Sequence, residues 1–259
     1  MPTLTWWWRV VAEAARVQLR LGLHTRLISG AILSPLGGGI YILMARYLGR
    51  TDLAAFVVLA PILTGLWGSA MTSSGESIST ERDEGTLELL IAAPAPAALV
   101  TLGRAIATTI ESLIAIPITL VVAALLGVPL PIAEPLLFAV GLAALVFATM
   151  AVGLIFAGIF VLARTTTVFQ NVLNWPLWIL SGTAFPIALL PGLVQPFSAL
   201  VALAWAAAVL RGAATGIGSS WWLGLGAVVA LGILYVAIAA RLFVAVERRV
   251  RVDGSLASF

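Results

Sequence analysis

The chain has 259 residues, of which 61% are hydrophobic and only 10% are charged, and its mean hydropathy is +1.11. Soluble domains are about 25% charged, so these figures exclude an ordinary soluble protein. The net charge of +3 is better explained by membrane topology than by nucleic-acid binding. Cysteine is absent, which excludes disulfides and thiolate metal sites.

The N-terminal segment, residues 4–26, is predicted to form an amphipathic helix. Arg9, Glu13, Arg16 and Arg20 recur at spacings of four, three and four, which places them on one stripe of a helix. The other side is apolar, and the tryptophans suit the headgroup zone, so we expect a helix in the membrane interface whose arginines face the cytoplasm and anionic lipid. The alternative is a terminal helix packed on the rest of the protein.

Six apolar segments follow, and each is long enough to cross a hydrocarbon layer of about 30 Å, which needs roughly 20 helical residues. They are Leu27–Ala45, Leu53–Met71, Leu99–Leu126, Pro135–Leu162, Phe169–Leu190 and Trp221–Ala240. All 14 basic residues are arginines; eleven lie on one side of these spans, and three (Arg46, Arg50 and Arg211) lie on the other. The positive-inside rule predicts that both termini are cytoplasmic. We therefore expect an all-α, polytopic membrane protein with a single transmembrane domain over residues 1–259.

Residues 76–96, between the second and third spans, contain the densest cluster of charge in the chain. Four acidic residues and one basic residue fall within Glu81, Arg82, Asp83, Glu84, Gly85, Thr86, Leu87 and Glu88. The leucines that follow give the segment an apolar flank. A short cytoplasmic helix of this kind is suited to dock in a basic, hydrophobic groove of another protein. The alternative is a solvated loop that only follows the topology.

Polar residues within the spans are candidates for a substrate path. On the fifth span Gln170, Asn171 and Asn174 lie near Trp175 and Trp178, and Asn174 and Trp178 share a helix face. On the second span the candidates are Thr64, Trp67 and Met71. Polar groups inside a membrane need partners or water, so hydrogen bonding between helices explains them at least as well as substrate contact.

Residues 183–216 are interrupted repeatedly by glycine and proline and do not resemble one more crossing. Two short helices that dip into the outer leaflet and return would fit, and would form a lid over an internal cavity. The lid candidates are Ser181, Gly182, Phe185, Pro186 and Pro191. A kinked helix followed by a loop is the alternative.

Three motifs resemble those of the ABC exporter permeases of the type-2 class, the separate membrane subunits of drug, lipid and polysaccharide exporters. The stretch from Glu81 to Leu90, followed by Pro94, resembles their E-R-x-x-G-T-L-E-x-L-L-x-x-P motif. The segment from Leu180 to Pro191 resembles their S-G-x-x-F-P…L-P element, and Leu210-Arg211-Gly212 resembles their later L-R-G. The resemblance extends from about Glu76 to Arg248.

This resemblance implies six transmembrane helices, an N-terminal interface helix, a coupling helix at the acidic segment and re-entrant helices before the last span. It also implies a complex of two permease subunits, identical or homologous, with two copies of a separate ABC ATPase that binds ATP and Mg²⁺. The chain has no lysine for a phosphate-binding loop, so we expect it to be non-catalytic and to bind no cofactor, metal or nucleic acid itself. The expected location is a bacterial cytoplasmic membrane, with membrane lipid around it. The expected cargo is an amphipathic drug, a lipid or a glycolipid or polysaccharide.

Two other classes of protein remain as alternatives. An ion-coupled secondary transporter would use Glu111, which falls within the third span. If that helix extends into the cytoplasm, Glu111 lies shallower and pairs with another group or meets water. A membrane-embedded enzyme has less support, because His24 is the only histidine and no acid and base pair shares an evident face.

Overall fold

A computed structural model of the chain describes residues 4–49, 53–83, 85, 97–162, 166–183, 186–216 and 220–253. These residues form nine α-helices and one 3₁₀ helix, and none of them lies in a β-strand. The α-helices are α1 (Leu4–Tyr47), α2 (Ala54–Asp83), α3 (Ala97–Leu113), α4 (Ala115–Leu125), α5 (Pro135–Leu162), α6 (Thr166–Leu180), α7 (Gln195–Ser198), α8 (Ala202–Thr215) and α9 (Trp221–Asp253), and the 3₁₀ helix is Ile187–Leu189. The all-α fold class is confirmed.

Four of the predicted spans coincide with helices that are long and apolar enough to cross a membrane. They are Ala54–Met71, Leu99–Leu125, Pro135–Phe160 and Trp221–Ala245, and the second of these consists of α3 and α4 in succession. The predicted first span lies in α1, where the side chains of residues 21–37 are outside the described part of the chain.

The predicted fifth span, Phe169–Leu190, is not one helix. α6 ends at Leu180, and its 15 residues extend over about 22 Å, less than the hydrocarbon thickness. The helix stops at a turn in which Gly182 has φ +61°, a conformation that favours glycine. The boundary predicted from hydropathy alone was therefore ten residues too late.

α1 is helical from Leu4 to Tyr47, so the segments predicted as an interface helix and as a first span belong to one helix. Val11 lies against Gly103 of α3, and Gly38 lies within contact distance of Thr119 of α4. These contacts are about 40 Å apart along α1 but only about 24 Å apart along α3 and α4. A straight α1 cannot make both contacts, so its N-terminal part turns away from the direction of its C-terminal part.

α5 and α9 run parallel to each other in close contact. A Cβ atom at Gly232 would lie 2.6 Å from Cε1 of Phe147, and one at Gly158 would lie 2.7 Å from Cδ2 of Leu242. Glycine at both positions lets the two helices approach, as small residues do in membrane-protein interfaces.

α8 packs between the N-terminal half of α5 and the N-terminal half of α9. A Cβ atom at Gly141 would lie 3.1 Å from Val209, and one at Gly224 would lie 2.7 Å from the same side chain. Nine of the 14 residues of α8 are buried, so this alanine-rich helix is part of the core. It packs there with large side chains of α2 and α5, such as Leu63 and Leu145.

Residues 186–216 enter the helical bundle and return to the end of the bundle at which α5 begins. The Tyr235 hydroxyl donates to the Leu200 carbonyl and accepts from the Ala202 N–H at 3.3 Å. Tyr235 lies about 21 Å along α9 from Trp221, which sets the depth that the chain reaches. From there α8 returns, and its Ala213 carbonyl accepts from the Glu134 N–H at 2.9 Å, just before α5 begins.

Candidate functional site: the acidic end of α2 and the exposed face of α6

The first part of the predicted coupling segment is a continuation of α2. The helix extends 12 residues past Met71, about 18 Å, and ends at Asp83, so Glu81, Arg82 and Asp83 form its last turn. Gly75 is the only helix breaker in this extension. The prediction of a separate short helix beginning in this segment was therefore wrong for residues 76–83.

Gly85 follows as an exposed turn residue with φ +68°, which favours glycine at this position. Glu84, Thr86, Leu87 and Glu88 lie outside the described residues. α2 thus joins the apolar core at Met71 to the start of the acidic segment through one uninterrupted helix.

Asn171, Asn174, Trp175 and Trp178 of α6 lie on a different face of the helix from the leucines that pack against the core. Leu173, Leu177 and Leu180 pack against the core. At 100° per residue, Asn171, Asn174, Trp175 and Trp178 fall on a different face, most of it opposite those leucines. Trp175 is 62% exposed, and its ring meets that of Trp178 edge to face at 5.8 Å. We call these four residues the α6 stripe; the Asn171 side chain is outside the described part.

Of the three candidates on α2, two are buried in the core and the third is half-buried. The Trp67 and Met71 side chains are 2% and 1% exposed, and both belong to the main hydrophobic core. The half-buried Thr64 hydroxyl donates to the Ala60 carbonyl of its own helix at 2.8 Å. Among the described residues the buried Trp67 indole N–H has no acceptor, and such a group costs about 1–3 kcal/mol.

Hydrogen bonds between helices hold α2, α3 and α6 together near Ser69 and Met71 of α2. The Ser112 hydroxyl of α3 donates to the Ser69 hydroxyl of α2 at 2.6 Å. The Gln170 amide of α6 donates to the Met71 carbonyl at 3.2 Å. Gln170 therefore has a structural role in this conformation. The serine pair was not predicted from the sequence, although small polar residues inside apolar spans are a signal of such contacts.

Two of the lid candidates form a buried turn after α6. The Ser181 hydroxyl donates to the Trp178 carbonyl at 2.6 Å and lies 3.0 Å from the Thr183 hydroxyl. Arg211 of α8 donates to the Gly182 carbonyl at 3.1 Å. Its guanidinium also lies 4.3 Å from the centre of the Phe56 ring, at the start of α2.

Arg211 therefore ties α8 to both α6 and α2, a role that the sequence analysis did not assign. Of the remaining lid candidates, Pro186 and Pro191 are exposed, and Phe185 lies outside the described residues. Within the described chain no group of three or more His, Cys, Asp or Glu side chains could hold a metal ion.

The fold and these sites together define a multi-pass helical membrane protein with a helical extension toward an acidic segment. The model of the ABC-2 type transporter family matches residues 3–215, from the start of α1 to the end of α8. The chain belongs to the ABC-2 type transporter family and is a membrane-spanning permease of an ABC transporter. Membership in this family implies association with an ABC ATPase. No curated protein matches the chain at a significant level.

Proposed function

We propose that this permease belongs to an ATP-driven exporter of amphipathic cargo, such as a drug, a lipid, or a glycolipid or polysaccharide. Two permease subunits, identical or homologous, assemble with two ATPase subunits that bind ATP and Mg²⁺. The complex lies in a bacterial cytoplasmic membrane with both termini of the permease in the cytoplasm. Residues 97–104 and 245–253 then mark the inner end of the bundle, and residues 126–135, 216, 220 and 221 mark its outer end.

The observation that carries this proposal is the direction of the α6 stripe. Amide side chains that face acyl chains are costly, so polar groups on a membrane helix face other protein or a water-filled cavity. Trp175 is exposed, Asn174 and Trp178 are half-buried, and neither tryptophan is among the side chains that pack against the main core. A second permease subunit opposite α6 would enclose a cavity lined by amides and indoles. Such a lining suits cargo with both polar and apolar parts.

Trp67 of α2 also supports a transport path beside α6, and it would lie on the inner side of that path. Its indole N–H is buried without an acceptor among the described residues. Water or cargo that reaches Trp67 in another conformation of the transport cycle would supply the acceptor. Thr64, one turn away on α2 and half-buried, and Met71 would then border the same path.

α2 is the element proposed to transmit ATPase movement. Its last turn carries Glu81 and Asp83, and the helix is uninterrupted from there to the core. A force applied to the segment from Glu81 to Glu88 would move α2 as a rigid body past α6. The hydrogen bond from Gln170 to the Met71 carbonyl lies at the contact between α6 and α2, and this contact must change when α2 moves.

The re-entrant segment is proposed to cover the outer end of the path. Leu189, Leu193 and Phe197 are 74%, 89% and 58% exposed in the isolated subunit. Backbone without regular helix is stable at membrane depth only where protein or water surrounds it. The second subunit would provide that cover, and Arg211 would hold the segment to α2 and α6.

An ion-coupled carrier based on Glu111 has less support than the exporter. The Glu111 side chain is buried, at 8% exposure, beside the contact between Ser69 and Ser112. Along α2, Ser69 lies about 22 Å from Ala54, so Glu111 is nearer the inner boundary than the centre of the bilayer. Family membership favours the ABC transporter over the carrier.

The proposed cavity is testable because the native chain contains no cysteine. Asn174→Cys places a thiol on the α6 stripe, and Leu177→Cys places one on the core side of the same helix as a matched control. Each variant, in complex with its ABC ATPase in lipid nanodiscs, is treated with a polar maleimide. We expect modification of Asn174→Cys that changes when ATP is bound by an ATPase unable to hydrolyse it, and no modification of Leu177→Cys.

An Asn174→Cys thiol that resists the reagent in every nucleotide state would mean that this face meets lipid or closed protein. A thiol that reacts equally in all states would mean that the stripe is wet but takes no part in transport. Either result contradicts the proposed path.

A further inference from the structure

α2 contains a proline that weakens its backbone. Pro61 lies inside the helix, and because proline has no N–H, the Val57 carbonyl has no backbone donor four residues further on. The Thr64 hydroxyl donates to the Ala60 carbonyl at 2.8 Å and to the Pro61 carbonyl at 3.3 Å, a pattern that bends helices. α2 can therefore bend near Pro61, about 10 Å from its end at Ala54.

The break between α3 and α4 also results from a proline. α3 ends at Leu113, and α4 begins at Ala115. Pro117 has no N–H for the Leu113 carbonyl, and its ring would clash with that carbonyl in a continuous helix. The Ile114 N–H bonds to the Glu111 carbonyl at 3.2 Å, three residues back rather than four. α3 and α4 are therefore two helical segments that can change their relative angle at this turn.

Both prolines lie where α1 meets α2 and α4. A Cβ atom at Gly38 of α1 would lie 2.9 Å from Cγ of Pro61 and 3.8 Å from Cγ2 of Thr119. Pro117 precedes Thr119 by two residues. Gly38 is the middle one of three consecutive glycines, 37–39, and each costs a helix about 1 kcal/mol relative to alanine. All three helices thus have their weakest backbone within about two turns of a shared contact.

On one side of this contact the three helices share a small core of their own. Its buried side chains are Ile42, Val58, Ala123 and Val128. They form a cluster distinct from the main hydrophobic core, which the neighbouring Leu59, Leu120 and Leu130 contact. Arg46 of α1 also donates to the Leu126 carbonyl at the end of α4, at 2.9 Å. We call residues 38–48, 54–60 and 118–130 the three-helix unit.

The three-helix unit is linked to the turn that precedes the re-entrant segment. The ring of Phe56, in the α2 part of the unit, lies 4.3 Å from the Arg211 guanidinium. Arg211 in turn donates to the Gly182 carbonyl, in the turn after α6, at 3.1 Å. A tilt of the unit would therefore move Arg211 and, through it, that turn.

We propose that the three-helix unit tilts as one body on the rest of the bundle, by bending at Pro61 of α2 and at the break that Pro117 causes between α3 and α4. Residues 62–83 are then the part of α2 that follows the ATPase as a rigid body. The tilt carries this movement to the turn at Gly182. The tilt itself is a property of the permease alone, and only its use in export rests on the proposed function.

The test measures distances between pairs of spin labels, which can be attached at introduced cysteines because the native chain has none. The first pair is Leu125→Cys at the end of α4 with Leu223→Cys at the start of α9, and both positions are exposed. The reference pair, Val140→Cys with Leu223→Cys, lies outside the three-helix unit. The full chain is measured in lipid nanodiscs by double electron–electron resonance. An excess of unlabelled chain ensures that each signal comes from one subunit.

A helix kink of about 20° would displace Leu125, about 17 Å along α4 from Ile114, by about 6 Å. We therefore expect the distances for the first pair to spread over about 6 Å more than those for the reference pair. The double variant Pro61→Ala with Pro117→Ala restores both backbone donors and should remove this extra spread. Pro135→Ala is the matched control, because Pro135 is the first residue of α5, where a missing N–H breaks no helical bond. It should leave the spread unchanged.

Equal spreads for the two pairs in the native chain would overturn the proposal, since the three-helix unit would then be fixed to the bundle. An extra spread that persists in the double variant would also overturn it, because the prolines would not be the points of bending. An equal narrowing in Pro135→Ala would do the same, since the effect would not be specific to these two positions. The outcome depends on neither ATP nor cargo, so a failure of the exporter proposal would leave it unchanged.

Discussion

Gly103→Ala tests the contact that positions α1 on α3. The new Cβ atom would lie 2.4 Å from the backbone oxygen of Val11, and this distance must grow by about 1 Å to reach an ordinary contact. The obstacle is backbone rather than a flexible side chain, so the helices must separate. Overpacking of this kind costs about 1–3 kcal/mol, which exceeds the roughly 0.5–1 kcal/mol that alanine gains over glycine within a helix.

The assay is thermal unfolding in detergent, followed by tryptophan fluorescence. Gly226→Ala is the matched control, because a Cβ atom at this helical position of α9 meets nothing within 4 Å. We expect Gly103→Ala to lower the unfolding temperature, and Gly226→Ala to leave it unchanged or raise it. Equal unfolding temperatures for the two variants would refute the close crossing of α1 and α3.

Three further experiments test the contacts that hold the lid and the core helices. Tyr235→Phe removes the hydroxyl that bridges two backbone groups at the deepest point of the re-entrant segment. This loss should cost about 1–3 kcal/mol of stability and lower the unfolding temperature. The same change at Tyr47, which is 92% exposed, should leave the unfolding temperature unchanged. Arg211→Gln removes a bond to the turn after α6 and a ring contact, and should make that turn more susceptible to limited proteolysis. In a double-mutant cycle with alanine at Ser69 and Ser112, unfolding measurements should give a coupling of about 0.6 kcal/mol, typical of hydrogen bonds between membrane helices.

Each of these expectations has a result that contradicts it. Equal effects at the two tyrosines would mean that the buried hydroxyl contributes nothing to the lid. Unchanged proteolysis of Arg211→Gln would mean that α8 holds its position through packing alone. A coupling of zero between the serines would mean that their contact does not join α2 to α3.

Four of the segments predicted from hydropathy coincide with helices that are long and apolar enough to cross a membrane, because each is a long apolar run bounded by charge or proline. It failed at the end of α6, since Ile187, Leu189 and Leu190 are as apolar as the helix before them. There the chain direction is set by the positive φ of Gly182, a local backbone property that a hydropathy window does not detect.

The position of α8 in the core also could not be predicted from the sequence pattern. An alanine-rich stretch of 14 residues suits a surface helix or a buried one equally well, and its location follows from glycines at Gly141 and Gly224 on other helices. Similarly, Arg211 was one residue of a recognised motif, but its contacts with Gly182 and Phe56 depend on three separate segments. The acidic segment at the end of α2 could be predicted from the charged residues alone. The continuation of the helix into that segment could not.

We propose that the acidic segment joins this permease to an ABC ATPase. The most direct test is co-purification of the ATPase, and ATP hydrolysis by the reconstituted complex, for the native chain and for Glu84→Ala and Glu88→Ala. Glu134→Ala is the control, because that carboxylate is exposed at the opposite end of the bundle. We predict that the first two variants release the ATPase or uncouple hydrolysis from cargo, and that Glu134→Ala behaves as the native chain does. Full retention of the ATPase and full coupling of its hydrolysis to cargo in both acidic-segment variants would show that this segment does not join the permease to the ATPase.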